Sequence, residues 1–521
     1  MVRKRKIPVY LWRRLSQLLF FALFLFLFIK TDYSGSDELE YAVNILFRLD
    51  PLLALAAIFA GHTIIALMLP ALFTLVFTLV FGRSFCGWIC PMGALVDGAA
   101  AVIRPPQGTV GKDLLPVKYY LLIFILVTAL LGLPLAGYID PFSLLVRAFS
   151  FAVYPAFDIA VSSFFTFTYQ RAPDWVNAVS EPVYDFLKNT VLPFSHRVYG
   201  LGLLSLLLLA LVLLLNHWQR RFFCRNLCPL GGLLALVSRF SLLTAHGGDE
   251  DCGKCRQCRT ICRMGAIAED RRISPADCNL CLDCVALCPR NKIHLSFHRP
   301  QPAAGSCGMT RRAFAGTLAT GALLPLFLPA RPLAQRPDPL VIRPPGALAE
   351  EEFLGRCVRC GECMKVCIGN ALQPALLEAG IAGMFTPLLK SRIGYCEYNC
   401  TLCGQVCPTG AITKLALPAK HATVIGRAFF DKNLCLPYAK GIPCIVCEEH
   451  CPTPDKAIKF RPQQVVNSRG ETVTVLQPFV VDELCIGCGI CENKCPLPGR
   501  AAVRITGEGA ARQAGQALTG W

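Results

Sequence analysis

Twenty-four of the chain's 29 cysteines fall into six groups of four. The first two groups, Cys252, Cys255, Cys258, Cys262 and Cys278, Cys281, Cys284, Cys288, share the spacing C-x2-C-x2-C-x3-C, and Pro289 follows the second. Three thiolates at three-residue steps wrap three corners of an iron–sulfur cube, and the fourth, set before proline, points away towards a neighbouring cube. The spacing therefore assigns Cys252, Cys255, Cys258 and Cys288 to one [4Fe–4S] centre. Cys278, Cys281, Cys284 and Cys262 form a second. Zinc sites pair two CxxC units across a longer loop, and disulfide frameworks scatter pairs over small secreted domains, so neither matches.

Four further groups lie downstream. Cys357, Cys360, Cys363 and Cys367 keep the spacing without the proline, and Cys485, Cys488, Cys491 and Cys495 keep it with Pro496. Cys396, Cys400, Cys403 and Cys407 open with a three-residue gap, and Cys435, Cys444, Cys447 and Cys451 open with an eight-residue gap. The total implied is six [4Fe–4S] clusters. No CxxC pair precedes a histidine, which excludes c-type haem. Cys307 has no partner group and is read as incidental. Cys86 and Cys90 in FCGWICPMG, and Cys224 and Cys228 in FCRNLCPLG, form an internal C-x3-C-P repeat. On helices each pair shares a face at i, i+4. Four thiols there suit a seventh metal centre, either a cluster or another soft metal, or two redox dithiols, or buried structural cysteines.

The elements that must position these groups are apolar. Hydrophobic residues make up 54% of 521, with mean hydropathy +0.47, beyond an ordinary soluble chain. Spans are expected near 15–29, 62–81, 118–136 and 199–217, with 51–61 as an interfacial extension of the second, and a fifth helix near 313–329. The net charge of +17 does not indicate nucleic acid, because six basic residues precede the first span, where they set orientation. By that rule the amino terminus, the 83–117 loop and the segment after 217 are cytoplasmic. The aromatic loop 137–198 is then outside, with helices lying in the headgroup region. The fold class expected is membrane α-helical, about five spanning helices, plus ferredoxin-like α+β domains on both sides. The domains are 1–240 (membrane), 241–300 (cytoplasmic two-cluster ferredoxin), 307–335 (signal or anchor helix) and 350–507 (periplasmic four-cluster head). This places the chain in a bacterial cytoplasmic membrane.

Thr310, Arg311, Arg312 and the apolar run after them form a twin-arginine export signal in mid-chain. That route carries folded cargo, which a domain folded around clusters requires. Retained uncleaved, the segment tethers the exported head.

Residues 1–300 resemble the NapH-type membrane ferredoxins, through four helices, CxxxCP elements at 86–91 and 224–229, and the double cluster motif at 252–289. Residues 307–507 resemble the NapG-type polyferredoxins, through TRRAF at 310–314 and four cysteine groups. The chain is similar to a fusion of the two. That resemblance implies a menaquinol or ubiquinol dehydrogenase of anaerobic respiration, a subunit of a larger complex. Its electrons would leave through the clusters for a periplasmic multihaem cytochrome or terminal reductase. The resemblance also implies nested ligand exchange in the head, first group with fourth and second with third. A quinol site needs an apolar slot and a proton acceptor, for which His62, Asp140 and Arg147 are candidates. Rival readings are a metal reductase or an oxidase or reductase assembly factor, in which CxxxCP ferredoxins also occur, and a passive electron-transfer anchor.

Overall fold

The first helix, Val9–Lys30, is a run of leucine and phenylalanine with no acidic residue in its first turn and Lys30 in its last. Its 22 residues extend about 33 Å at 1.5 Å per residue. In the computed structural model this helix measures the molecule. The residues described are 9–33, 35–39, 41, 44–104, 114–247, 255, 257–288, 292–297, 308–327, 340–466 and 469–511. Near one end Arg13 forms a 2.6 Å ion pair with Asp283 of the small cysteine module. Past the other end Asp32 meets Arg197 and, at 3.2 Å, Lys365 of the carboxy-terminal head. The two cysteine-bearing parts thus sit at opposite ends of one helical bundle.

Two helices among the described residues are long and apolar enough to cross a membrane, Tyr10–Lys30 and Pro141–Arg171. The other expected spans form shorter helices, Ala71–Phe81, Val117–Leu130, Gly202–Leu214 and Arg311–Phe327. Pro51–Gly61 is a separate helix, with His62 in a left-handed conformation ending it. It packs between Val117–Leu130 and the head helix Glu350–Arg356.

The region 137–198 is largely helical. Its first half is one continuous 31-residue helix, long and apolar enough to cross a membrane. The helix Pro141–Ala148 runs through a π-helical turn, Phe149–Val153, into Tyr154–Arg171. The wider turn admits Pro155, which lacks an N–H, without ending the helix. Its charged residues are satisfied internally: Arg147 donates to backbone carbonyls, and Asp158 meets His196 at 2.6 Å.

Each cysteine module is closed by pairing its first strand with its last. Leu243–His246 pairs antiparallel with His294–Phe297 around the first two groups. Arg427–Phe430 pairs with Val503–Thr506 around the last two, with a hairpin, Ile458–Val466 and Thr472–Val480, inserted between them. A bridge between Ala347 and Ile412 closes the chain around the 357–367 and 396–407 groups. The head is therefore built of two consecutive two-group modules that share one hydrophobic core.

The helix Arg311–Phe327 joins the two ends. Met309, just before it, packs with Tyr119, Ala235 and Ala276 near the small module, and Leu324 packs with Leu133 and Ala382 at the head end. Arg311 and Arg312 lie exposed on its first turn.

Candidate cluster sites and the four-thiol site

In the small module, Cys262 lies among Cys278, Cys281 and Cys284, and Cys288 lies beside Cys258. The ligand exchange expected from spacing is therefore present. Cys252 and Cys307 lie outside the described residues.

In the head the expected nesting is overturned. Cys407 lines one pocket with Cys357, Cys360 and Cys363, and Cys367 lines another with Cys396, Cys400 and Cys403. Cys495 lines a third with Cys435, Cys444 and Cys447, while Cys451 lies among Cys485, Cys488 and Cys491. Exchange is between adjacent groups, first with second and third with fourth. The strand closures decide this, because each encloses only two consecutive groups.

The residues fit iron–sulfur cubes. Among the described residues no three cysteine, histidine or carboxylate side chains meet closely enough for a single metal ion. The thiols instead ring three pockets in the head, four to each. Backbone N–H groups point at ligand sulfurs, Ala266 to Cys262 at 3.3 Å and Ile412 to Cys407 at 3.4 Å, which tunes cluster potential. Burial pushes the Cys400 and Cys488 thiols up to about 12, so binding iron must release protons.

The sets in the head form a line. Cys403 neighbours Cys363, the Cys396 N–H donates to the Cys488 carbonyl at 2.9 Å, and Cys447 neighbours Cys491. The set with Cys357 lies deepest, against the bundle. There Arg147 donates to the Arg359 carbonyl at 3.1 Å, and Tyr199 to the Met364 carbonyl at 3.0 Å. Beside this set Glu362 is fully buried, and burial pushes its carboxyl up to about 7.

The CxxxCP elements come together. Cys228 has Cys224, Cys86 and Cys90 as neighbours, and Cys90 has Cys86 and Cys224. The local geometry is not the α-helical face expected. Each first cysteine lies in a π-helical turn, Phe85–Ile89 or Phe223–Leu227, and each second one is extended and caps the next helix. The repeat is longer than C-x3-C-P: Arg83 and Arg221 each stand three residues before the first cysteine, giving R-x-F-C-x3-C-P-x-G. The arginines cross over. Arg221 donates to the Cys86 carbonyl at 2.9 Å, and a Cβ at Gly93 would lie 3.4 Å from its guanidinium. Arg83 reaches Gly231 of the other repeat, where a Cβ would lie 2.9 Å away. At Gly93 it is the Cys86 carbonyl, 2.8 Å from where a Cβ would stand, that excludes a side chain, whereas at Gly231 the nearest atom is the Arg83 guanidinium itself. The site abuts the small module, since Trp88 donates to the Leu280 carbonyl at 2.9 Å.

Of the three quinol-site candidates, Asp140 and Arg147 are buried together against the head loop after Cys357. His62 is exposed and does not join them. Sequence reasoning missed Arg83 and Arg221, visible in the extended repeat, and Asp50, which shares an Asp-Pro helix start with Asp140.

A model of a 4Fe-4S binding domain matches residues 63–109, 199–243 and 403–421, and a NosR model matches 250–293. The methylamine utilization ferredoxin-type protein MauM of Methylobacillus flagellatus is 36% identical over 204 residues, covering 38% of this chain and 81% of that protein. The ferredoxin-type protein NapG of Escherichia coli K12 is 34% identical over 149 residues, 28% of this chain and 63% of its own. An uncharacterized protein of Methanocaldococcus jannaschii, MJ0749, is 23% identical over 245 residues, 45% of this chain and 73% of its own. No solved structure matches. With cysteine sets built for cubes and these relatives, the chain belongs to the MauM and NapG family of ferredoxin-type, 4Fe-4S electron-transfer proteins.

Proposed function

We propose that this chain is a membrane quinol dehydrogenase, a fusion of a NapH-type membrane half with a NapG-type head. It takes electrons from menaquinol or ubiquinol and passes them to a periplasmic cytochrome or reductase. The observation that carries this reading is the arrangement of the cysteine sets. Those of the head form a line whose deepest member, around Cys357, rests on an apolar bundle, and the small module, with the four-thiol site against it, lies towards the bundle's other end. The clusters, six in this reading, supply one-electron transfer when bound. The chain's own residues bury the ligands, aim N–H groups at the sulfurs and keep water from the bundle interior. Asp140 and Arg147 are bundle residues beside the deepest head set, where a hydroquinone would deliver its electrons. The helix Arg311–Phe327 serves as export signal and retained fifth span, with the head periplasmic and the amino terminus cytoplasmic. The four-thiol site is the observation favouring the second reading, a metal reductase or assembly factor.

Purified chain mixed anaerobically with a menaquinol analogue should lose iron–sulfur absorbance as the clusters are reduced. If quinol leaves the clusters oxidised while a reduced periplasmic cytochrome bleaches them, the direction is reversed. Protease added to spheroplasts should cut the head after residue 340; protection there would place it inside.

A further inference from the structure

Asp50 and Asp140 are both fully buried, and each caps a helix opened by the proline that follows it. Asp50 Oδ1 accepts from the Leu52 and Leu53 N–H groups at 2.8 and 3.1 Å, and Asp140 Oδ2 from the Ser143 N–H at 2.8 Å. Their other oxygens, Asp50 Oδ2 and Asp140 Oδ1, find no donor elsewhere in the described protein. The two helix starts pack against each other, which leaves these two orphaned oxygens as neighbours with no donor between them. Two ionised carboxylates offer only acceptors, so the orphaned oxygens can satisfy each other only when one carries a proton. Both helix amino termini turn their positive ends to the pair, which favours the single remaining negative charge.

Arg48 stands two residues before Asp50 and beside Cys407. From the helix Pro141–Ala148 the pair faces Arg147, whose guanidinium is occupied by the Gly137, Tyr138 and Arg359 carbonyls at 2.7, 3.2 and 3.1 Å. Tyr138, and Arg359 of the head, lie behind it. The pair is also tied to the deepest cysteine set. Ser143 Oγ donates to the Val358 carbonyl at 3.4 Å, and Gly137 packs so closely on that carbonyl that no side chain fits.

We propose that Asp50 and Asp140 form a proton-holding site coupled to the electron-accepting set Cys357, Cys360, Cys363 and Cys407. With that set oxidised, the pair is one carboxylic acid and one carboxylate sharing a proton. When one electron arrives, from a hydroquinone or from dithionite in vitro, one proton enters and the pair becomes two carboxylic acids. Charge is then balanced one for one. This coupling does not depend on the donor being a quinol.

The test uses the full chain, cluster-loaded, in detergent. Dithionite reduction followed by infrared difference spectroscopy should produce a protonated-carboxyl band that shifts in D2O. The band should be missing in both Asp50→Asn and Asp140→Asn; asparagine still caps a helix, so the fold is kept. Potentiometric titration followed by electron paramagnetic resonance should show one cluster whose equilibrium constant changes tenfold per pH unit, about 59 mV for one electron. That slope should flatten in each variant and persist in Glu378→Gln, an exposed carboxylate paired with Lys390. The wild-type D2O shift and slope stand as the test if a variant fails to fold. A band that survives both substitutions, or a wild-type potential flat across the neutral range, overturns the proposal. Failure to oxidise menaquinol with the band intact would count against the quinol reading alone.

Discussion

At the residue scale, the adjacent exchange of cluster ligands has a consequence that nesting does not share. Cys407 serves the set containing Cys357, so Cys407→Ser and Cys357→Ser should each remove about four irons per chain, and the double variant should remove no more. Combining Cys407→Ser with Cys403→Ser should instead double the loss. Iron analysis of the anaerobically purified variants reads this directly. Asp97 offers a pH test at the four-thiol site. Burial pushes its carboxyl up, but Arg221 at 2.8 Å and Arg263 outweigh that and hold it below the ordinary range. Its contribution is therefore fully present above the unfolded carboxylate value of about 4 and is lost as pH falls through the lower folded value. Asp97→Asn leaves Arg221 buried without its main counter-charge, which should cost about 3–5 kcal/mol. Thermal melts of wild type and variant should converge at acid pH.

At the scale of elements, the head is fastened by a buried charge network together with close packing. Asp32, just beyond the first helix, bonds Arg197 and Lys365, and Lys365 lies 4.3 Å over the Phe28 ring. The apolar core continues across the joint where Phe151 and Tyr199 pack with ring centroids 4.8 Å apart. Asp32→Ala strands two cations in a water-poor joint, the situation in which breaking a buried pair is most costly. Hydrogen exchange over residues 358–366 should accelerate, while exchange in the small module, at the far end of the first helix, should not change.

At the scale of the whole molecule, the bundle is a spacer of about 33 Å between two cysteine-rich ends, set by one 22-residue helix. The four-thiol site lies between those ends, beside Ser16 and Gln17 of the first helix and in contact through Phe85 with Phe142 under the head, so its occupancy bears on whether the two ends share electrons. Six filled cubes predict about 24 irons per chain, and a seventh at Cys86, Cys90, Cys224 and Cys228 would raise this to about 28. Cys86→Ser with Cys224→Ser should lower the larger count by about four and leave the smaller unchanged. Iron and acid-labile sulfide assays together distinguish these results.

The cofactor chemistry was legible in the sequence because cluster ligation is local: three thiolates at three-residue steps need only one turn of chain. The fourth ligand in the small module was legible for the same reason, since only two groups exist there to exchange. In the head four groups compete for partners, and spacing cannot rank them. The closing strands, which pair residues 427–430 with 503–506, and the bridge from Ala347 to Ile412 made that choice. The long helix through 141–171 was hidden because Arg147 and Asp158 look like surface charges until backbone carbonyls and His196 are seen to satisfy them. Hydrophobicity along the chain determined that there is a bundle. Only the tertiary structure brought Asp50 to Asp140 and crossed Arg83 and Arg221 over two glycines, because each contact joins residues 90 or more positions apart, and no local periodicity encodes such a meeting.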